Sequence, residues 1–163
     1  MNTQTRSNLT ILFPIAALVF AMAHLIFELV TGGVQSHHIL ADPDLPAISN
    51  WYGLLTLPLV GLATGYRLQR PNSAFLGALV YGAVLAISFE LGASMLTNIA
   101  FFGLIACALA FPIYRAEYVL GFMMGMTFTF GGVLPLIIAL IFATISFVVR
   151  GAGGWMVARL RKG

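Results

Sequence analysis

Charged side chains are scarce in this chain. Only 8% of its 163 residues are Asp, Glu, Lys or Arg, whereas soluble domains carry about 25%. Hydrophobic residues make up 60% of the sequence, and the mean hydropathy is +0.98. Because so few polar side chains cannot cover a globule in water, most of the surface is expected to face lipid. The composition predicts a multi-pass integral membrane protein with the lipid bilayer as its main partner.

Other absences narrow the function. The single cysteine, Cys107, cannot form an internal disulfide. No histidine follows His38, which excludes membrane enzymes that need several histidine boxes or histidines on late spans. There is no glycine-rich phosphate loop, HExxH or GxSxG motif. The net charge of +3 is spread over loops and the tail, so anionic lipid explains it better than nucleic acid, and no nucleic-acid partner is expected.

Apolar segments of about 20 residues predict the helices that cross the membrane. Four are clear, at Leu9–Val30, Trp51–Tyr66, Ala74–Leu91 and Met95–Ile113. The segment from Tyr118 to Val149 is too long for one span and short for two.

The middle of that last segment, Phe130–Pro135, holds two glycines and a proline, which favour a turn. We therefore expect a fifth helix over Tyr118–Phe130, either short or re-entrant, and a sixth that runs towards Ala158. The alternative is one kinked helix, which gives five spans.

The basic residues favour six spans. With six spans and the amino terminus inside, all eight lie on the cytoplasmic side, as cytoplasmic loops prefer: Arg6, Arg67, Arg70, Arg115, Arg150, Arg159, Arg161 and Lys162. Five spans would place the last three outside. The sequence thus predicts an all-α integral membrane protein, a compact six-helix bundle in one domain over 1–163. It would lie in the cell inner (plasma) membrane with both termini cytoplasmic.

Most other polar residues gather at the outer end of this topology. They are His24, Glu28, His37, His38, Asp42, Asp44, Glu90 and Asn98. Glu117 alone among the acids falls inside, where we expect it to be solvated beside Arg115. Because basic residues are drawn to the cytoplasmic side, acidic residues are left on the outside. This explains the position of Asp42 and Asp44 as well as a functional role does.

Glu28 and Glu90 predict a proton or cation site, because acidic residues within spans are rare and costly. His24 and Glu28 are four residues apart, so they share a helix face on which His24 would tune Glu28. The alternative is a buried hydrogen-bonded pair that fixes the first helix to the third.

The pair His37-His38 predicts a metal site, since imidazole and carboxylate together suit transition metals such as Zn, Cu or Mn. The ligands would be His37, His38, Glu28 and Glu90. No spacing matches a defined metal motif, and adjacent histidines point in different directions along a regular strand. The alternative is an interfacial histidine pair.

The outer loop 31–50 contains Pro43 and Pro46, which stiffen it, so we expect it to pack as a lid over the periplasmic face. Asp42, Asp44 and Asn50 are its candidate loop or gate residues. A structural interpretation of Asn50 is the cap of the second helix, with Trp51-Tyr52 as interface anchors.

Gly121 and Gly125 form a GxxxG motif, which brings helices close together or pairs two protomers in a homo-oligomer.

The leading hypothesis for function is transport or channelling of a small solute or cation, proton- or metal-linked, through the His/carboxylate site. One alternative is a membrane metalloenzyme that uses the same residues, which requires three or more ligands around one metal. The other is a non-catalytic subunit that docks a periplasmic partner, which requires Glu28 and Glu90 buried and paired.

Overall fold

A computed structural model describes residues 3–38, 42–68 and 72–160. Within these ranges the chain forms six α helices and one short two-stranded ribbon. In chain order the elements are α1 (Thr3–Thr31), β1 (Ser36–His38), β2 (Ala47–Ser49), a 3-10 turn (Asn50–Tyr52), α2 (Gly53–Arg67), α3 (Ser73–Glu90), α4 (Ser94–Ala110), α5 (Ala116–Phe130) and α6 (Leu134–Leu160). The all-α class and the six helices are confirmed.

The predicted turn after Phe130 is present. Gly131 ends α5 with a φ of +68°, a conformation that glycine adopts without steric cost. Pro135 then lies in the first turn of α6, where a missing N–H costs nothing. The chain therefore folds as two helices here rather than one kinked helix.

Among the described residues, three helices contain a segment long and apolar enough to cross a membrane, at Thr10–Thr31, Ser73–Glu90 and Leu134–Gly153. The apolar helix α4 is shorter, with 17 residues, and α2 and α5 have 15 residues each. Large apolar side chains such as Val19, Phe102 and Phe147 are exposed on the outside of the bundle. These features are compatible with a membrane protein, since a surface of this kind suits lipid better than water.

The helices run alternately up and down. Thr10 at the start of α1 donates to Gly65 O at the end of α2, and Thr97 at the start of α4 donates to Ser88 Oγ near the end of α3. We call the end of the bundle with the ribbon and the C-terminal ends of α1, α3 and α5 the hairpin face. The opposite end is called the terminal face.

Helix α5 lies at the centre of the bundle and packs parallel to α3. Gly121 and Gly125 face the α3 backbone, and a Cβ at either position would overlap the carbonyl oxygen of Phe75 or Leu79. The GxxxG motif thus brings two helices of the same chain together.

Candidate functional site

The C-terminal half of α1 places two ionisable side chains in the bundle at the hairpin face. His24 and Glu28 are one helical turn apart, so they lie on the same side of α1, as expected from their spacing. They are 2% and 6% exposed, and His24 Nε2 is 3.5 Å from Glu28 Oε1. The edge of the Phe128 ring packs against the His24 imidazole at 5.1 Å between centroids.

Asn50 joins this pair from the other side. Its side chain is 3% exposed, and its Nδ2 donates to Glu28 Oε1 at 2.5 Å. The same nitrogen is 3.3 Å from His37 Nε2. Because an amide nitrogen carries two hydrogens, Asn50 bonds both groups when His37 Nε2 is unprotonated. We call His24, Glu28, His37 and Asn50 the polar cluster.

The interpretation of Asn50 as a helix cap is wrong. Ser49 takes that role for the 3-10 turn, since its Oγ accepts from Trp51 N at 3.4 Å. Asn50 is instead the first residue of the turn, and its side chain points into the bundle. Both Ser and Asn are good helix caps, so the sequence alone does not show whether Ser49 or Asn50 is the cap and which of them contributes to the site.

Gly131 provides the space for Asn50. A Cβ on Gly131 would overlap Asn50 Oδ1, so the turn between α5 and α6 forms one wall of the polar cluster. The amide of Asn50 is therefore held between α1, the ribbon and this turn.

The ribbon selects one of the two adjacent histidines. Strands β1 and β2 pair antiparallel, with His37 opposite Ile48 and Asn50 N bonded to Gln35 O. Successive side chains of a strand point to opposite faces, so His37 is half-buried against Asn50 while His38 is exposed. His38 Nδ1 lies 2.8 Å from Leu45 O within the loop.

Two opposing effects act on the pKa of His37. Burial lowers the pKa of the His37 imidazole, and the carboxylates of Glu28 and Glu90 oppose this with smaller raising effects. Glu90 is thus near enough to act on His37 through space, although its side chain is exposed and does not join the polar cluster.

The remaining predicted site residues lie outside the cluster. Asp42 and Asp44 are exposed and form a turn, in which Asp42 Oδ1 accepts from Asp44 N at 3.0 Å. Asn98 is exposed on α4. Among residues 3–38, 42–68 and 72–160, no three His, Cys, Asp or Glu side chains are placed to hold a metal ion. The described structure thus brings together a histidine–carboxylate–amide network rather than a metal-ligand set.

Two atoms of the polar cluster have no hydrogen-bond partner. They are His24 Nε2 and Glu28 Oε2, and both are buried. Buried polar atoms are nearly always paired, because leaving one unpaired costs about 1–3 kcal/mol. The pair thus leaves hydrogen-bonding capacity unused in the interior of the bundle.

Glu117 is a buried carboxylate, so the expectation that it is solvated beside Arg115 is wrong. It is 3% exposed at the terminal face, and its Oε2 has no hydrogen-bond partner. The reason is the central position of α5, whose neighbours leave its first turn little contact with solvent. An acid in the first turn of a helix is favoured by the helix dipole, and that pattern was visible in the sequence.

The chain matches no family model, and no curated protein and no solved structure is significantly similar to it.

Proposed function

We propose that the chain is a multi-pass inner-membrane protein that binds a proton in the polar cluster and links it to transport of a small solute or cation. The hairpin face would be the outer face, as the distribution of basic residues predicts. The observation that carries the proposal is Glu28, which is buried, bonded through Oε1 to Asn50, and unpartnered at Oε2 beside His24.

A proton removes the main cost of this arrangement. An isolated buried carboxylate is expensive in a low dielectric, and it is stabilised either by protonation or by a cationic neighbour. One proton on His24 Nε2 or on Glu28 supplies the missing donor for the pair. The site therefore favours one bound proton.

His37 connects the buried pair to solvent. When His37 Nε2 takes up a proton, it becomes a donor and no longer accepts from Asn50 Nδ2. Asn50 must then turn its amide, which withdraws its hydrogen bond from Glu28 Oε1. The ribbon would therefore act as a gate, because protonation of His37 at the lid changes the hydrogen bonding of Glu28 inside the bundle.

Transport through this bundle requires helix movement. Between the polar cluster and the terminal face the core is mostly apolar, with Ala17, Leu57 and Met123 among its side chains. The buried hydroxyls of Thr64 and Thr127 donate to carbonyl oxygens of their own helices. No polar path crosses these described residues, so a fixed pore is not supported. Buried Glu117 gives the terminal face a carboxylate of its own, which suits alternating exposure of two sites.

The alternatives have less support. A metalloenzyme or metal transporter needs three or more ligands around Zn, Cu or Mn, but His38 and Glu90 are exposed and directed elsewhere. A docking subunit requires Glu28 and Glu90 buried and paired, and only Glu28 is buried.

Infrared difference spectroscopy tests the proton site directly. In the purified protein in lipid, a pH step should reveal a protonated-carboxyl band that Glu28→Gln removes. Glu90→Gln is the matched control, because it removes an exposed carboxylate from the same face and should leave the band unchanged. If Glu28→Gln removes none of the protonated-carboxyl signal, the proposal is refuted; a part that survives Glu28→Gln and is lost in Glu117→Gln belongs to the buried carboxyl at the terminal face.

Proteoliposomes test the link to transport. Under an imposed membrane potential, proton entry should fall at least about tenfold in Glu28→Gln, the factor that corresponds to roughly 1.4 kcal/mol, and stay near wild type in Glu90→Gln. Equal rates in both variants would contradict a role for Glu28 in proton movement. Binding of Zn, Cu or Mn to metal-free protein should also be measured. Tight binding that His37→Ala abolishes and His38→Ala retains would favour the metal alternative.

A further inference from the structure

A cavity of about 350 Å³ lies between α3, α4, α5 and α6, away from the polar cluster. Its deep wall consists of buried apolar side chains, including Leu104, Phe122 and Ala139. The volume falls within the range of small-ligand sites in proteins.

The cavity opens towards the terminal face. The exposed residues of its lining are Ser73 and Gly77 on the first turns of α3, and Phe111 directly after α4. From Ser73 to Tyr81 the α3 wall covers about 12 Å at 1.5 Å per residue. A guest would therefore enter lengthwise from the terminal face.

The interior offers little to water. Tyr81 is one of the few polar residues in the lining, and its hydroxyl already donates to Ala100 O at 2.6 Å. Apolar cavities of this kind stay dry and accept apolar guests, because a buried water needs two or more polar partners. The lining thus favours a hydrocarbon.

The mouth carries positive charge. Arg150 Nη2 donates to Ala110 O at 2.6 Å, directly before the rim residue Phe111. Arg115 is exposed in the short connection between Ile113 and Tyr118, which both line the cavity. The nearest acid in sequence, Glu117, is buried and is not part of the lining.

We infer that this cavity binds one fatty acyl chain, with an acidic head group held at the mouth by Arg115 and Arg150. The apolar interior takes the hydrocarbon, and the two guanidinium groups take a carboxylate or phosphate, for which their planar donors are suited. A free fatty acid and an anionic phospholipid share this chemistry. The inference does not depend on the polar cluster, which lies at the opposite face.

Gly77 allows a clean test. A Cβ on Gly77 would meet no atom within 4 Å, so Gly77→Leu adds a side chain at the rim with no overlap at its Cβ and improves helix propensity. Gly151 is equally unobstructed on α6 but is not part of the lining, so Gly151→Leu is the matched control.

The experiment uses palmitate with a photoreactive group near the end of its chain. With the full chain in phosphatidylcholine nanodiscs, illumination should attach the probe to cavity residues such as Leu104 and Phe122. We expect capture to fall at least about tenfold in Gly77→Leu and to remain unchanged in Gly151→Leu. Equal capture in Gly77→Leu and wild type, or capture only at lipid-facing positions, would overturn the inference.

Two further arms identify the head group and its source. Arg150→Gln should weaken competition by unlabelled palmitate but not by neutral hexadecanol, a difference that a merely structural role of Arg150 would not produce. Equal weakening of both competitors would refute the assignment of the head group. Competition by palmitate or by phosphatidylglycerol distinguishes a free fatty acid from a phospholipid, and failure of both overturns the inference.

Discussion

The side-chain amide of Asn50 donates a 2.5 Å hydrogen bond to the Glu28 carboxylate, across 22 positions of the sequence. Both groups are buried, one on the last turns of α1 and the other where the ribbon leads into α2. This bond fastens the ribbon to the helix bundle. It also supplies the hydrogen-bond donor of Glu28 Oε1 from a neutral side chain.

Removal of the Asn50 amide should destabilise the protein. Asn50→Ala leaves Glu28 Oε1 buried without its donor, and we expect the free energy of unfolding to fall by about 1–3 kcal/mol. Denaturant unfolding in detergent measures this loss. The matched control is Asn98→Ala, an exposed asparagine whose replacement should change stability by less than about 0.5 kcal/mol. Equal effects of the two variants would mean that the bond contributes nothing.

Stability should depend on pH through His37. Burial lowers the pKa of His37 in the folded protein, so the unfolded chain takes up a proton first as pH falls through about 6.5. The free energy of unfolding is therefore independent of the titration of His37 above that pH. It falls as the pH drops below about 6.5, until the lowered pKa of His37 in the folded protein is passed.

Unfolding midpoints between pH 8 and pH 5 test this expectation. His37→Gln keeps an acceptor for Asn50 but does not titrate, so its stability should fall less than that of wild type between pH 7 and pH 5. His38→Gln changes the exposed neighbour and should behave like wild type. If the wild type and His37→Gln lose stability equally, His37 does not cause the dependence.

Gly131 should not tolerate a side chain. Its φ of +68° and ψ of −172° fall in a region that is essentially restricted to glycine, where another residue costs about 1–3 kcal/mol. In Gly131→Ala the added Cβ also overlaps Asn50 Oδ1, so the total loss should exceed the backbone cost. In helix α6, by contrast, Gly151→Ala should stabilise by about 0.5–1 kcal/mol.

A double-mutant cycle separates the two causes. In an Asn50→Ala background the overlap disappears and only the backbone strain of Gly131→Ala remains, so the substitution should cost less than in wild type. Strict additivity of the two substitutions would show that Gly131 and Asn50 do not contact each other.

Hydropathy and turn chemistry predicted most of the fold. The apolar segments predicted the helix ends to within about three residues, except that α1 begins at Thr3 rather than at Leu9. Gly131 with Pro135 marked the break between α5 and α6. These features are local, because helix formation and termination depend on residues within one or two turns. The pairing of α5 with α3 is not local. The GxxxG motif indicated that α5 makes a close contact but did not identify α3 as the partner helix.

The polar cluster could be predicted only in part. The spacing of His24 and Glu28 fixed their common helix face. The strand alternation that separates His37 from His38 requires the ribbon, whose three-residue strands leave no clear pattern in the sequence. Asn50 lies in the polar cluster because Ser49, not Asn50, caps the 3-10 turn. Glu117 is buried because α5 lies at the centre of the bundle, and that position follows from tertiary packing.

Cysteine labelling tests the proposed orientation. In a Cys107→Ala background, Asp44→Cys places a thiol in the exposed turn of the hairpin face, and Ser73→Cys places one at the terminal face. With the hairpin face outside, a membrane-impermeant maleimide should label Asp44→Cys in intact cells and Ser73→Cys only after permeabilisation. The reverse pattern would invert the topology. Labelling of both variants in intact cells would show that the bundle does not separate its two faces across a membrane.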